Sequence, residues 1–397
     1  MNVKICGTTA RGEIEAIPSK SYAHRIAICS FFAKNPITTT CGDFSSKDII
    51  ATERCLNQLN KGEKVLDCTE SGSTLRFLIP LVASLGGEYI LNGQGKLMSR
   101  PNKELADALI GHGVTVEQTD CVKVKGKLTG GEFRLRGDIS SQYVSGLLMA
   151  LPSLKEDSKI VLTTPLASSS YVDITIEVLE KFNVKIERTD YGYFIRGNQK
   201  YCGLAKAEGD WSNGAFFLSL GALAGDVTLF GLNPDSVQGD KVIMDVLEKA
   251  GAKVSAENGG IRVQKSQLNC FTLDAENCPD LVPIVSVLGA FAKGTTVIEH
   301  VERLKIKESD RILTTIDMLE KFGIKAESDG KTLTIYGGKP KSAVADSHND
   351  HRIAMSIAVM ATACEGQSVL TDAKAVEKSY PSFFEHLTKV GGRVEYD

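Results

Sequence analysis

Hydrophobic and polar positions repeat along this chain with a period near 70 residues. Five segments read alike: Leu109–Val114, Leu179–Val184, Leu247–Ala252, Leu319–Ile324 and Leu387–Gly392. Successive leucines are 70, 68, 72 and 68 residues apart. Each leucine is followed four residues on by Gly113, Asn183, Gly251, Gly323 or Gly391, the residue types that end a helix in the left-handed conformation. An alternating run such as Val184-Lys185-Ile186-Glu187 comes next and predicts a strand. A weaker copy begins at Leu56 and ends at Asn60; it falls about 16 residues short of the usual spacing, so its trailing hairpin is expected to be missing.

A second landmark keeps the same phase. Polar residues open apolar helices at Ser19, Ser71, Ser140, Asp210, Asp280 and Asn349. The unit is therefore helix, strand, helix, strand, turn, strand. Six units predict an α/β protein of two similar domains with three units each. The N-terminal residues 2–7 resemble the second hairpin strand at 121–126, and Gly12–Glu15 matches Gly131–Arg134. The last unit stops after one strand, so residues 1–18 are expected to complete it. The expected domains are then 1–18 plus 208–397, and 19–207. By repeat phase the only tryptophan, Trp211, opens the fourth unit and is expected to face a cleft between domains.

Composition narrows the class. Apolar residues are 42% and charged residues 24% of 397, ordinary globular usage. Acidic side chains number 49 against 46 basic, a net charge of −3, which excludes a broadly basic nucleic-acid surface but not a local anion site. No run reaches 18 apolar residues, and the first residues lack a signal-peptide core, so a cytoplasmic protein with no membrane partner is expected. Ten cysteines, none in a Cys-x-x-Cys pair, read as reduced core residues rather than zinc ligands. His348 and His351 lack the supporting ligand spacing for a metal, and Gly93-Gln94-Gly95-Lys96 lacks that of a P-loop.

Candidate chemistry gathers at the helix starts, where unpaired backbone N–H groups favour anions. Pro18-Ser19-Lys20-Ser21 has Arg25 about one turn on, and Ser71-Gly72-Ser73-Thr74 has Arg76. Ser140-Ser141-Gln142 and Ser168-Ser169-Ser170-Tyr171 open two more helices, and Ser99-Arg100-Pro101 a further one. Capping alone explains any single serine; repeated pairing with Lys or Arg points to phosphate. Lys305–Arg311 places cations at a helix start, where they are unfavourable unless an anion offsets them. Asn349-Asp350-His351-Arg352 and Glu377-Lys378-Ser379 are two more charged starts, the latter expected to open the last helix. The residues by themselves define a metal-free site for a small substrate with several anionic groups, with Asp280 and Glu308 as candidate proton carriers.

This ordered set, from Pro18-Ser19-Lys20-Ser21 through Pro279-Asp280 and Lys307-Glu308-Ser309-Asp310-Arg311 to Lys378, resembles the 5-enolpyruvylshikimate-3-phosphate synthase family along the whole chain. The resemblance implies two domains of three βαβαββ units, closing over a cleft lined by helix N-termini. It implies transfer of a carboxyvinyl group from phosphoenolpyruvate to the 5-hydroxyl of 3-phosphoshikimate, on the route to chorismate and the aromatic amino acids. No cofactor or metal is implied, nor any partner beyond the two substrates, and the chain is expected to be a monomer. On the family pattern, 3-phosphoshikimate meets Lys20, Ser21, Arg25, Ser140, Ser141, Gln142, Ser168, Tyr171, Asp280 and Lys307. Phosphoenolpyruvate meets Lys20, Gly72, Arg100, Gln142, Arg311, Arg352 and Lys378. Asp280 takes the hydroxyl proton, Glu308 handles the proton at the vinyl carbon, and Lys20 bridges both substrates. Glu70-Ser71 stands where many members have Asn-Ala, and Arg303 where some have Asn. The sister transferases acting on a UDP-amino sugar use a Gly-Gly-Cys loop that this chain lacks.

Overall fold

The computed structural model describes residues 1–37 and 46–397. Cys41 and the strand that the repeat places between the first two helices lie outside the described residues. The chain divides into two compact units, Met1–Ser19 with Glu208–Asp397, and Lys20–Ala207.

The repeating element is a four-stranded sheet of constant order, seen five times among the described residues. In Thr272–Tyr336, for example, strand Thr272–Asp274 runs parallel to Thr295–Glu299, which pairs antiparallel with Thr332–Tyr336, itself paired with Ala326–Ser328. Helix Val282–Phe291 crosses between the parallel strands, and helix Arg311–Lys321 precedes the hairpin. This is the βαβαββ unit. The four hairpins are reached through a left-handed residue, with φ of 80° at Gly113, 59° at Asn183, 82° at Gly251 and 80° at Gly323, and the last strand, Arg393–Tyr396, follows Gly391 with φ of 91°. The weak copy differs. Its helix runs Lys47–Asn60 and the left-handed turn comes later, at Gly62 with φ 82°.

The unit that holds both chain ends contains three such sheets. Strand Val3–Cys6 lies between Gln367–Thr371 and Arg393–Tyr396, antiparallel to both. Strand Ala10–Glu15 runs parallel to Gly225–Phe230. Helices Trp211–Ala224, Val282–Phe291 and His351–Ala363 pack on one another in the centre. Their sequences are apolar on all sides, so only full burial satisfies them. Trp211 belongs to this interior: it is 1% exposed, and its indole N–H donates to the Asn233 carbonyl at 3.0 Å. The repeat phase predicted a Trp211 facing a cleft between domains; the ring packs in the hydrophobic core of its own unit.

The unit Lys20–Ala207 has two sheets among the described residues, Val65–Gly126 and Gly131–Ile195. Helix Gly72–Leu85 packs on Ser141–Ala150. Pro80 lies inside the first of these helices, and Gly146 lets the second come close to it, because a Cβ there would meet Arg76 O at 2.9 Å and Pro80 Cγ at 3.0 Å. Among the described residues no helix is long and apolar enough to cross a membrane.

Candidate active site

Helix capping builds the site. In the unit Lys20–Ala207, Ser71 Oγ accepts from Thr74 N and Ser140 Oγ from Gln142 N, so two predicted helix starts cap as the sequence suggests. Helix Ser170–Lys181 begins after Ser168, which is buried with φ of 54°. Arg25 gathers this group. Its Nε donates to Thr175 Oγ1 at 2.6 Å, Nη1 to Ser21 O at 2.7 Å, and Nη2 to Tyr171 O at 2.8 Å and Ser145 Oγ at 3.2 Å. Burial lowers the pKa of this guanidinium to about 10, which still leaves it charged.

A second cluster forms around the start of helix Gly72–Leu85. Arg76 donates to Gln142 Oε1 at 2.8 Å, and Gln142 Nε2 donates to Ser73 Oγ at 2.8 Å. Arg100 lies so close to Gly72 that a Cβ there would sit 2.6 Å from Nη1, so any larger residue would push the guanidinium aside. Lys20 Nζ pairs with Asp48 Oδ2 at 2.9 Å. Ser141 is buried in the first turn of its helix.

In the other unit the charged residues converge on one guanidinium. Arg311 opens helix Arg311–Lys321 behind the Asp310 cap. It donates from Nη1 to Asp280 Oδ1, from Nη2 to Glu308 Oε2 and from Nε to Asp350 Oδ2, each at 2.7 Å. Asp350 also caps helix His351–Ala363 by accepting from Arg352 N at 2.9 Å, and takes Ser309 Oγ at 3.0 Å. The cap is therefore Asp350 and not Asn349, whose φ of 56° turns the chain just before the helix. Asp280 lies in a short 3-10 turn, Pro279–Leu281, ahead of helix Val282–Phe291 rather than capping it. Lys307 Nζ and Arg352 Nη2 each reach Asp280 at 3.4 Å, on Oδ1 and Oδ2. Burial favours a protonated Asp280, but Lys307, Arg352 and Arg311 outweigh it and hold the carboxyl well below the usual range. Burial lowers the pKa of Lys307. Lys378 ends the 3-10 turn Ala373–Lys378, five residues before the last helix begins at Phe383, and its Nζ donates to Asn349 O at 2.9 Å.

Within each unit some of the predicted residues contact one another: Arg25 meets Ser21 and Tyr171 in one, and Lys307, Arg311 and Arg352 meet Asp280 in the other. Three participants carry no motif in the sequence: Asp48 beside Lys20, and the pair Ser212 and Asp240. Ser212 Oγ donates to Asp240 Oδ2, and burial, reinforced by the charge of Asp280, pushes this carboxyl up to about 7. Asp240 belongs to the repeated stretch before Leu247, yet no local pattern reveals a carboxyl that packing later buries.

The architecture defines the class: paired units of βαβαββ repeats with charged helix starts form the enolpyruvyl transferase fold. EPSP synthase from Acinetobacter baumannii superposes with a TM-score of 0.79 at 22% identity over 100% of both chains. The enolpyruvyl transferase NikO from Streptomyces tendae gives 0.76 at 17% identity, over 99% of this chain and 98% of that one. The chain belongs to the EPSP synthase (3-phosphoshikimate 1-carboxyvinyltransferase) family, whose model matches residues 44–387. Proteins named 3-phosphoshikimate 1-carboxyvinyltransferase are 40% identical in Clostridium novyi and 37% in Clostridioides difficile, each aligned over 99% of this chain and 98% of the relative.

Proposed function

We propose that the two residue sets described above carry out the family's reaction, transfer of the enolpyruvyl group of phosphoenolpyruvate to the 5-hydroxyl of 3-phosphoshikimate. The observation that carries the residue assignment is Arg311, which holds both candidate proton carriers, Asp280 and Glu308, on one guanidinium. In this reading Ser21, Arg25, Ser140, Ser141, Ser168 and Tyr171 hold 3-phosphoshikimate through its phosphate, with Gln142, Asp280 and Lys307 at its ring. Lys20, Gly72, Arg100, Gln142, Arg311, Arg352 and Lys378 hold phosphoenolpyruvate, with Lys20 touching both substrates.

Asp280 removes the 5-hydroxyl proton as the oxygen attacks C2 of phosphoenolpyruvate, while Glu308 delivers a proton to C3. The tetrahedral intermediate then loses phosphate and a C3 proton, restoring the vinyl group. Before substrate binds, Asp280 is too acidic to be an effective base, because three cations face it. Two of them, Arg311 and Arg352, are the groups assigned to phosphoenolpyruvate. Its anionic groups offset their charge and raise the proton affinity of Asp280, so binding the donor prepares the base.

The proposal extends to a monomeric protein working in the cytoplasm; the nine described cysteines are all free thiols, as suits a reducing compartment. The test is phosphate release from phosphoenolpyruvate with and without 3-phosphoshikimate, beside mass analysis of the product. Release that ignores 3-phosphoshikimate, or unchanged turnover in both Asp280→Asn and Glu308→Gln, defeats the assignment.

A further inference from the structure

Three helices of the unit Lys20–Ala207 are joined by a string of buried polar side chains. His24 Nδ1 meets Thr52 Oγ1 at 2.8 Å, Thr52 Oγ1 meets Thr74 Oγ1 at 2.6 Å, and Thr74 Oγ1 meets Ser71 Oγ at 2.7 Å. All four residues are at most 1% exposed. They come from helix Lys20–Ala33, helix Lys47–Asn60 and the start of helix Gly72–Leu85. Burial, with the nearby charges of Lys20 and Arg25, keeps His24 well below its ordinary pKa and so neutral.

Asp48 ties this string to charge. Its backbone carbonyl lies 3.4 Å from Thr52 Oγ1 and 3.3 Å from Thr74 Oγ1, while its carboxylate holds Lys20 Nζ at 2.9 Å. Asp48, Thr52 and Cys55 fall on one face of their helix, at i, i+4 and i+7. Apolar contacts would stabilise three helices equally well but would let them slide. Hydrogen bonds between short hydroxyls are directional, and in a dry interior they are costly to leave unmade. At the two ends of the network are the Lys20 ammonium and the Ser71-Gly72 helix start.

We infer that Asp48 and Thr52 are positioning residues for the transfer reaction, holding the Lys20 ammonium and the Gly72 helix start at a fixed spacing. The inference rests on the reading that Lys20 and Gly72 contact phosphoenolpyruvate. Asp48 and Thr52 act through those residues and do not touch substrate.

Three variants and a control test it. Thr52→Val keeps the shape and removes the hydroxyl, Thr52→Ser keeps the hydroxyl and removes a methyl, and Asp48→Asn removes the charge facing Lys20 but keeps the carbonyl. Lys20→Met is assayed beside them. A misplacement of about 1 Å can cost about a hundredfold. Thr52→Val and Asp48→Asn should each lower kcat/KM for phosphoenolpyruvate by about ten- to a hundredfold, with Thr52→Ser within about threefold of the parent. In Thr52→Val the KM for 3-phosphoshikimate should rise less than that for phosphoenolpyruvate, since of its proposed contacts only Lys20 is held by the string, while Arg25 and its partners lie off it. Equal losses in Thr52→Val and Thr52→Ser would mean that packing, and not the hydroxyl, matters, and would overturn the inference. So would parental kinetics in Thr52→Val and Asp48→Asn beside an impaired Lys20→Met. If Lys20→Met itself keeps parental kinetics, the reading of Lys20 falls as well.

Discussion

Arg311 Nη1 donates to Asp280 Oδ1 at 2.7 Å, and the arginine side chain that makes this contact is 1% exposed. Three carboxylates surround that guanidinium, so its removal has two consequences. Arg311→Ala leaves Asp280, Glu308 and Asp350 without their common cation, and losing one partner of a buried ion pair costs about 3–5 kcal/mol of stability. It also removes a proposed contact to phosphoenolpyruvate, worth about 2–5 kcal/mol, or roughly 30- to several-thousand-fold in kcat/KM. Urea unfolding beside steady-state kinetics separates the two. Arg311→Lys keeps the charge but loses the fork, and should recover stability more than activity. A folded Arg311→Ala with parental kcat/KM would remove this residue from the site.

Asp280→Asn and Glu308→Gln keep shape and remove a proton carrier. Each should lower kcat by about 10²–10⁴-fold while calorimetry still detects binding of 3-phosphoshikimate. Asp280 also predicts a pH effect on stability. Its folded pKa lies below the unfolded value near 3.8, so its ionised form stabilises the fold above that pH, and the contribution is lost as pH falls toward the folded value. The stability gap between parent and Asp280→Asn should therefore be full at neutral pH and close below about pH 4. A gap that stays constant down to pH 3 would show that the cations do not hold this carboxylate as described.

Asp240 predicts the opposite slope. Its folded pKa, about 7, is raised above the unfolded value, so the protonated form is favoured in the fold and stability declines as pH rises from about 4 through 7. Asp240→Asn removes a carboxylate that is buried and charged above pH 7. Its thermal midpoint relative to the parent should rise between pH 5 and pH 8, measured by calorimetry. A difference that does not change with pH would mean that Asp240 is ionised across the whole range.

Arg25 should act on one substrate. It draws Ser21, Tyr171, Ser145 and Thr175 around itself, so Arg25→Ala should raise the KM for 3-phosphoshikimate at least tenfold before it affects that for phosphoenolpyruvate. Equal increases in both would place Arg25 outside the phosphate-binding group.

Trp211 supplies a simpler check. An indole that is 1% exposed and donates to Asn233 O should emit at short wavelength and resist quenching by iodide in the folded protein. Strong quenching would contradict the enclosed position.

Much of this protein is local and therefore legible in its sequence. The residues at 113, 183, 251, 323 and 391 are Gly or Asn, the types that take a positive φ at least cost, and that steric preference acts on the backbone of a single residue. The serine and aspartate caps at 71, 140 and 210 are likewise set within three residues. The Leu56 copy is legible in the same way: its helix ends at Asn60, and the next described strand, Val65–Asp67, runs parallel to Gly87–Asn92 and opens a new sheet in place of a trailing hairpin.

The sequence by itself determined the repeating unit, the positions of most helix starts and the residue types gathered there, because periodicity and capping depend on neighbours a few residues away. Only the tertiary structure decided which charges meet. Arg311 and Asp350 are 39 residues apart, Lys20 and Asp48 28, and Arg352 and Asp280 72. Pairings at such separations are set by how helices pack. Packing also decides which carboxyl is left without water: Asp240 is pushed up to about 7 by burial, while Asp280, facing three cations, is held far down. The two are the same residue type, and their opposite chemistry comes from surroundings that the order of residues does not show.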